Sequence, residues 1–197
     1  MNSSLRNKYF LITYAMLLTL AADQITKFWV TATFRLEESM AVVPKFFSIT
    51  LKHNPGAAFG MFRGKPLYFF LVISVIAIAF ILYFVIKVNP RHRRLATALA
   101  MILGGALGNI SDRLLSGAVV DFLDVRFYGT VWPTFNVADM AIVVGVLIFM
   151  WEMIRRDPFG LDQPAEPDAE TAATQSDDPI EGAPAKAPAP QRWVPAR

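Results

Sequence analysis

Four apolar runs, each long enough to cross a bilayer, leave this chain few ways to fold. They are Tyr9–Val30, Leu67–Val88, Leu95–Leu115 and Val137–Ile154. At about 1.5 Å of rise per residue, roughly 20 residues span a hydrocarbon core of about 30 Å. All four runs fall in that range, the fourth being shortest. The chain is 54% hydrophobic over 197 residues, and a soluble domain of this size does not gather its apolar residues into such blocks. The expected architecture is therefore a mainly α membrane protein, a bundle of four transmembrane helices.

The first run also has features of a cleaved signal peptide: Arg6 and Lys8 lead it, and Ala21-Ala22 offers small residues. Its apolar character resumes after Ala22, however, at Ile25, Phe28, Trp29 and Val30. Asp23 and Lys27, which interrupt it, stand at i, i+4 and so share one helical face. A retained span is the reading adopted.

Composition removes several function classes. Cysteine is absent, so there is no disulfide frame, thiol nucleophile or thiolate metal site. Two histidines, His53 and His92, leave little for zinc or for a serine triad, and no His-Glu-x-x-His occurs. No basic stripe with interleaved aromatics points to nucleic acid. Residues 1–156 carry sixteen Lys/Arg and eight Asp/Glu, net +8; residues 157–197 carry three and eight, net −5. A basic membrane body suits anionic lipid headgroups. The acidic, Pro/Ala-rich segment 157–197 cannot bury a core and is expected to be a disordered, solvated tail.

Arg6, Lys8, Lys87, Arg91, Arg93, Arg94, Arg155 and Arg156 crowd the short flanks at one end of the spans. The positive-inside rule then puts both termini in the cytoplasm and the segments 31–66 and 116–136 outside. Within 31–66, Ala41–Lys52 is β-branched and aromatic and reads as one or two short strands, a small sheet capping the outer face. Asn54–Gly60 reads as a turn back into the apolar zone.

The chemistry concentrates at that outer end. Asp121 follows the third run and Asp139 opens the fourth, so a short connection brings both carboxylates to one membrane face. Ionisable groups at membrane depth are costly and mark functional sites. Two carboxyls that share a proton activate water as in aspartic proteases. Singly, Asp121 reads as a loop residue and Asp139 as a helix N-terminal one. Asp124, three residues on, serves equally well as partner at this level. In Gly104–Arg113 the glycines allow close helix packing. Asn109, Asp112 and Arg113 either support the carboxylates or, for Asp112 and Arg113, form a snorkelling interface pair. Asp23 and Lys27 can pair within their helix, Asn54 offers an amide, and Asn136 is placed to cap the fourth span. A small transporter using Asp23, Asp121 and Asp139 as an ion path is the main rival, and a silent assembly or lipid-binding subunit the second. The polar groups gather at one face rather than along a pathway, which disfavours the transporter.

Asp23-Gln-Ile-Thr-Lys27, Asn54-Pro-Gly-Ala-Ala-Phe59, Gly104-Gly-Ala-Leu-Gly-Asn-Ile-Ser-Asp-Arg113, Val119-Val-Asp-Phe122 and Phe135-Asn-Val-Ala-Asp139 occur in this order on four spans. Together they resemble the motif set of bacterial lipoprotein signal peptidases (signal peptidase II), over residues from about 10 to 155. The resemblance implies a multi-pass aspartic endopeptidase of the bacterial inner membrane, its site near the periplasmic face. It implies cleavage of signal peptides from diacylglyceryl-modified prolipoproteins, before the lipidated cysteine. Matched by motif, Asp121 and Asp139 are the expected catalytic pair, not Asp124. Asp23, Lys27, Asn54, Asn109, Asp112, Arg113 and Asn136 are the expected supporting residues. No metal or other cofactor is expected. The expected partners are the prolipoprotein and membrane lipid, with no nucleic acid, and a monomer is the expected form.

Overall fold

The computed structural model describes residues 3–56, 64, 66–127 and 130–155. Residues 57–60 of the turn expected over Asn54–Gly60, and the tail at 157–197, lie outside the described residues. Four helices follow the four runs: α1 Ser3–Thr33, α2 Leu67–Lys87, α3 Arg93–Ser116 and α4 Val137–Arg155. Each is long and apolar enough to cross a membrane. Four strands complete the fold: β1 Ser39–Val43, β2 Phe47–Asn54, β3 Val119–Phe127 and β4 Thr130–Val131.

α3 is the central helix. It buries eleven residues, against five in α1, three in α2 and four in α4. Leu95, Leu99, Ile102 and Leu103 pack with Ile12 of α1 and with Ile81 and Val85 of α2. Helices meet in lipid by close packing rather than by hydrophobic expulsion, so small residues decide where they touch. A methyl group at Gly105 would fall 2.5 Å from the Ala138 carbonyl oxygen of α4, and one at Gly108 would strike the Asp23 carboxylate of α1. The outward faces keep large apolar side chains exposed, among them Phe10 and Phe28 of α1, Ile76 and Phe80 of α2, and Leu147 of α4. An apolar surface of this extent needs hydrocarbon around it.

The strands gather at one end of the bundle, as the expected cap does, with one addition. Of the one or two strands expected over 41–52, two form, β1 and β2, paired as an antiparallel hairpin over a somewhat wider range. The sheet then continues through β3 and the two-residue β4, antiparallel, in the order β1-β2-β3-β4. Segment 116–136 is thus not a plain connection, and Asp121 is a strand residue rather than a loop residue. Gly117 makes the strand possible: it closes α3 with φ 78°, a left-handed conformation that costs glycine little, and its N–H caps the Arg113 carbonyl at 3.1 Å.

Candidate active site

β3 separates the two aspartates it carries. Side chains alternate across a strand, so residues three apart face opposite ways. Asp121 accepts from the Asn54 amide at 2.9 Å and the Asn136 amide at 2.8 Å. Asp124 instead accepts from the Thr50 hydroxyl at 3.2 Å and from Arg126 at 3.3 Å. A register slip between Ile49 and Lys52 of β2 sets Thr50 and Leu51 against Phe122 alone. Such bulges re-aim side chains beside functional sites, and here Asn54, at the end of β2, reaches Asp121. The Asn54 side-chain oxygen also accepts from the Gly56 N–H at 3.0 Å, which fixes the amide's orientation.

The eighteen residues between Asp121 and Asp139 fold back on themselves. The Trp132 N–H reaches the Val125 carbonyl at 3.0 Å, and the Phe135 carbonyl accepts from both Phe122 and Leu123, at 3.0 and 2.8 Å. This return strip lays Asn136 beside Asp121 and starts α4 there. Asn136 and Asp139 then cap the helix reciprocally. The Asp139 N–H donates to the Asn136 side-chain oxygen at 3.0 Å, and the Asn136 N–H donates to the Asp139 carboxylate at 3.3 Å. This is a capping box with Asn and Asp in its two positions. The fully buried Asn136 side chain therefore touches both carboxylate systems: its amide donates to Asp121 and its oxygen caps Asp139.

Both carboxylates line one cavity of about 530 Å³. Asn54, Asn109, Arg113 and Thr134 supply its other polar side chains, and Met140, Val143 and Val144 continue it along the exposed flank of α4. Burial pushes the Asp121 carboxyl up from its ordinary 3.8 to about 6; the Asn54 hydrogen bond opposes that rise, the Asp139 charge adds to it, and the Asn136 hydrogen bond and the Lys27 charge oppose it. Among the described residues no three His, Cys, Asp or Glu side chains converge as metal ligands would.

Beneath the cavity lies a buried ionic cluster. The Lys27 ammonium sits 2.8 Å from Asp23 and 2.7 Å from Asp112, and donates to the Asn109 oxygen at 3.0 Å. That uses its three protons. Asp112 accepts from the Val120 N–H at 3.1 Å, the residue before Asp121. Asp23 accepts from the Ala138 N–H at 2.9 Å, the residue before Asp139. One ammonium thus holds two carboxylates, and each of those pins the backbone beside one candidate carboxyl. Asn109 passes the connection upward, its amide donating to Asp139 at 2.8 Å.

A family model described as signal peptidase (SPase) II matches residues 15–155. The chain belongs to the signal peptidase II family. Among its relatives is the lipoprotein signal peptidase of Syntrophus aciditrophicus, 45% identical over 151 residues, 75% of this chain and 92% of that one. The lipoprotein signal peptidase of Moorella thermoacetica is 47% identical over 138 residues, 70% and 89% of the two chains. A bacterial membrane enzyme solved by the in meso method at 2.3 Å superposes with a TM-score of 0.63 at 30% identity, over 85% of this chain and 94% of that one. The chain is a multi-pass membrane protein of this family.

Of the expected site residues, Asn54, Asn109, Arg113, Asp121 and Asp139 line the cavity, Asp23, Lys27 and Asp112 form the cluster beneath it, and Asn136 links Asp121 to Asp139. Asp23 and Lys27 do pair. Asp112 and Arg113 do not pair with each other, because neighbours on a helix point about 100° apart. Asp112 turns inward to Lys27. Arg113 donates to the Gly56 carbonyl at 3.1 Å and lies over the Phe70 ring at 5.4 Å. Two participants were not singled out. Gln24 donates to Asp23, Asp112 and the Gly108 carbonyl at 3.1–3.3 Å; it lies inside the Asp23–Lys27 motif, where its polarity was the available signal. The Phe135 carbonyl acts through its backbone, which side-chain patterns do not reveal.

Proposed function

We propose that this chain is a membrane aspartic endopeptidase that removes signal peptides from diacylglyceryl-modified prolipoproteins, cutting before the lipidated cysteine. The names of the relatives support the substrate class. The observation that carries the mechanism is the joint hold of Asn136 on Asp121 and Asp139 in one cavity wall. With Asp23, Asp112, Asp121 and Asp139 against Lys27 and Arg113, four potential negative charges face two positive ones. A shared proton on the cavity-lining pair lowers that imbalance.

In the proposed reaction one carboxylate of the pair takes a proton from water as its oxygen attacks the scissile carbonyl carbon. The other, protonated, donates to the carbonyl oxygen. The tetrahedral intermediate collapses with cleavage of the C–N bond, and the leaving amine takes up a proton from the pair. No cofactor enters the cycle. A helical carbonyl is already hydrogen-bonded, so the substrate unwinds at the scissile bond before attack. The apolar flank of α4 beside the cavity suits acyl chains arriving from the bilayer. In this reading Asp23, Lys27, Asn54, Asn109, Asp112, Arg113 and Asn136 orient and charge-balance the pair. The bundle resides in the bacterial inner membrane as a monomer, with the sheet end periplasmic and both termini cytoplasmic.

The test is cleavage of a diacylglyceryl-modified prolipoprotein by the purified protein, with mass spectrometry of the product. Asp121→Asn and Asp139→Asn should each lower turnover by at least about 10²–10⁴-fold, the range for acid–base groups, with the fold retained. Full activity in either variant would sink the pair.

A further inference from the structure

At the opposite end of the bundle a second cavity, of about 360 Å³, lies between the first turns of α1 and the start of α3. Its polar lining includes Asn7, Lys8 and Arg93; Phe10 and Tyr14 extend it along the outer face of α1. Among the described residues no Asp or Glu lines it.

Lys8 is the unusual member. Its side chain is buried, with the residue 3% exposed, and its ammonium donates to the carbonyls of Ile86 and Val88, at 3.1 and 2.9 Å. Those contacts close the C-terminal end of α2 but supply no full negative charge. Among the described residues no carboxylate lies within ion-pair distance of it. A buried cation without a counter-ion is costly. Arg93 brings a second, exposed cation that makes no ion pair among the described residues, whereas its neighbour Arg94 faces Glu152 at 3.9 Å. α3 begins at this point, and its cap residue His92 makes no side-chain cap hydrogen bond, so first-turn N–H groups add positive potential.

We propose that this cavity holds the phosphate of an anionic phospholipid, between Lys8, Arg93 and the first turn of α3, with an acyl chain along Phe10 and Tyr14. The phosphate supplies the charge that Lys8 lacks, and the apolar wall favours a lipid over a free anion. Bound there, the lipid ties α1 to the turn between α2 and α3.

The experiment uses the full-length protein in nanodiscs of phosphatidylcholine alone or mixed with phosphatidylglycerol, read by thermal midpoint and by lipid retention in native mass spectrometry. Phosphatidylglycerol should raise the midpoint and be retained. Arg93→Gln should weaken that retention about tenfold, the loss of roughly one charge-assisted hydrogen bond. Arg91→Gln removes the same charge from an exposed position outside the cavity and should leave retention unchanged. Equal responses of the two variants, or no response to phosphatidylglycerol, overturn the proposal. Stabilisation by inorganic phosphate in phosphatidylcholine discs, matching that of phosphatidylglycerol, upholds the phosphate site and overturns its lipid source. If deleting residues 160–197 destabilises as Arg93→Gln does while lipid identity has no effect, the occupant is the chain's own acidic segment and the proposal fails.

Discussion

Asp121 and Asp124 sit three residues apart on one strand, are both buried, and differ in what surrounds them. Asp121 meets two amides and opens on the cavity; Asp124 meets Thr50 and Arg126, and its second oxygen has no hydrogen-bond partner among the described residues. Asp124→Asn is therefore expected to keep cleavage within a few-fold of the parent, with its effect confined to the melting temperature. A collapse of turnover there, with Asp121→Asn active, would reverse the assignment on β3. The Asp121 carboxyl makes a second, pH-dependent prediction. It binds its proton more tightly in the folded chain, at about 6, than at its ordinary 3.8. Lowering the pH from 7 through 6 therefore favours the folded state, until the unfolded chain also protonates near 3.8. The full span is worth up to about 3 kcal/mol at roughly 1.4 kcal/mol per pKa unit. Melts of the parent in detergent between pH 7 and 4 should show this gain, and Asp121→Asn should show a flatter profile. Identical slopes would mean that burial does not destabilise the ionised form.

At the level of elements, the Lys27 ammonium joins α1 to α3 and, through Asp112 and Asp23, reaches β3 and α4. Lys27→Met leaves two buried carboxylates unneutralised, which typically costs about 3–5 kcal/mol. The expected result is a large drop in melting temperature with loss of cleavage. The triple change Asp23→Asn, Lys27→Met, Asp112→Asn removes both charges as well and should recover much of the stability but little of the activity. Recovery of both would reduce the cluster to a packing feature. The elements themselves were unequally legible. The helices followed from apolar runs, because lipid exposure keeps a span apolar on nearly every face. One or two strands followed from the β-branched and aromatic residues of 41–52, though not their pairing as a hairpin. β3 did not follow: Val119, Val120, Asp121 and Phe122 are all buried, so the strand lacks alternation, and its partner β2 lies some 70 residues earlier. Without the strand, nothing in the spacing of Asp121 and Asp124 told their faces apart, and the motif match alone chose between them. The cluster was legible as an i, i+4 pair in α1, but not as a junction of four elements, because its other contacts are long-range and half of them are to backbone N–H groups.

Across the whole molecule, function depends on which way the bundle faces, since the candidate active site occupies one end of it. Asp23, Asn109 and Asp139 lie toward the sheet; Lys8, Arg91, Arg93 and Arg155 lie toward the other end. Basic flanks are retained on the cytoplasmic side, so the sheet end should face the periplasm. The chain contains no cysteine, so a single introduced thiol reports its own side without background. Met40 on β1 is 46% exposed, and Arg91, in the turn before α3, is also exposed. In cells with a permeabilised outer membrane and an intact inner one, a membrane-impermeant maleimide should label Met40→Cys and spare Arg91→Cys. Disrupting the inner membrane should expose the second. The reverse pattern would place the carboxylates on the cytoplasmic side, away from any substrate whose lipidated end lies outside. It would overturn the proposed topology and leave the chemistry of the pair standing, because the first rests on flank charge and the second on the hydrogen bonds of Asn136.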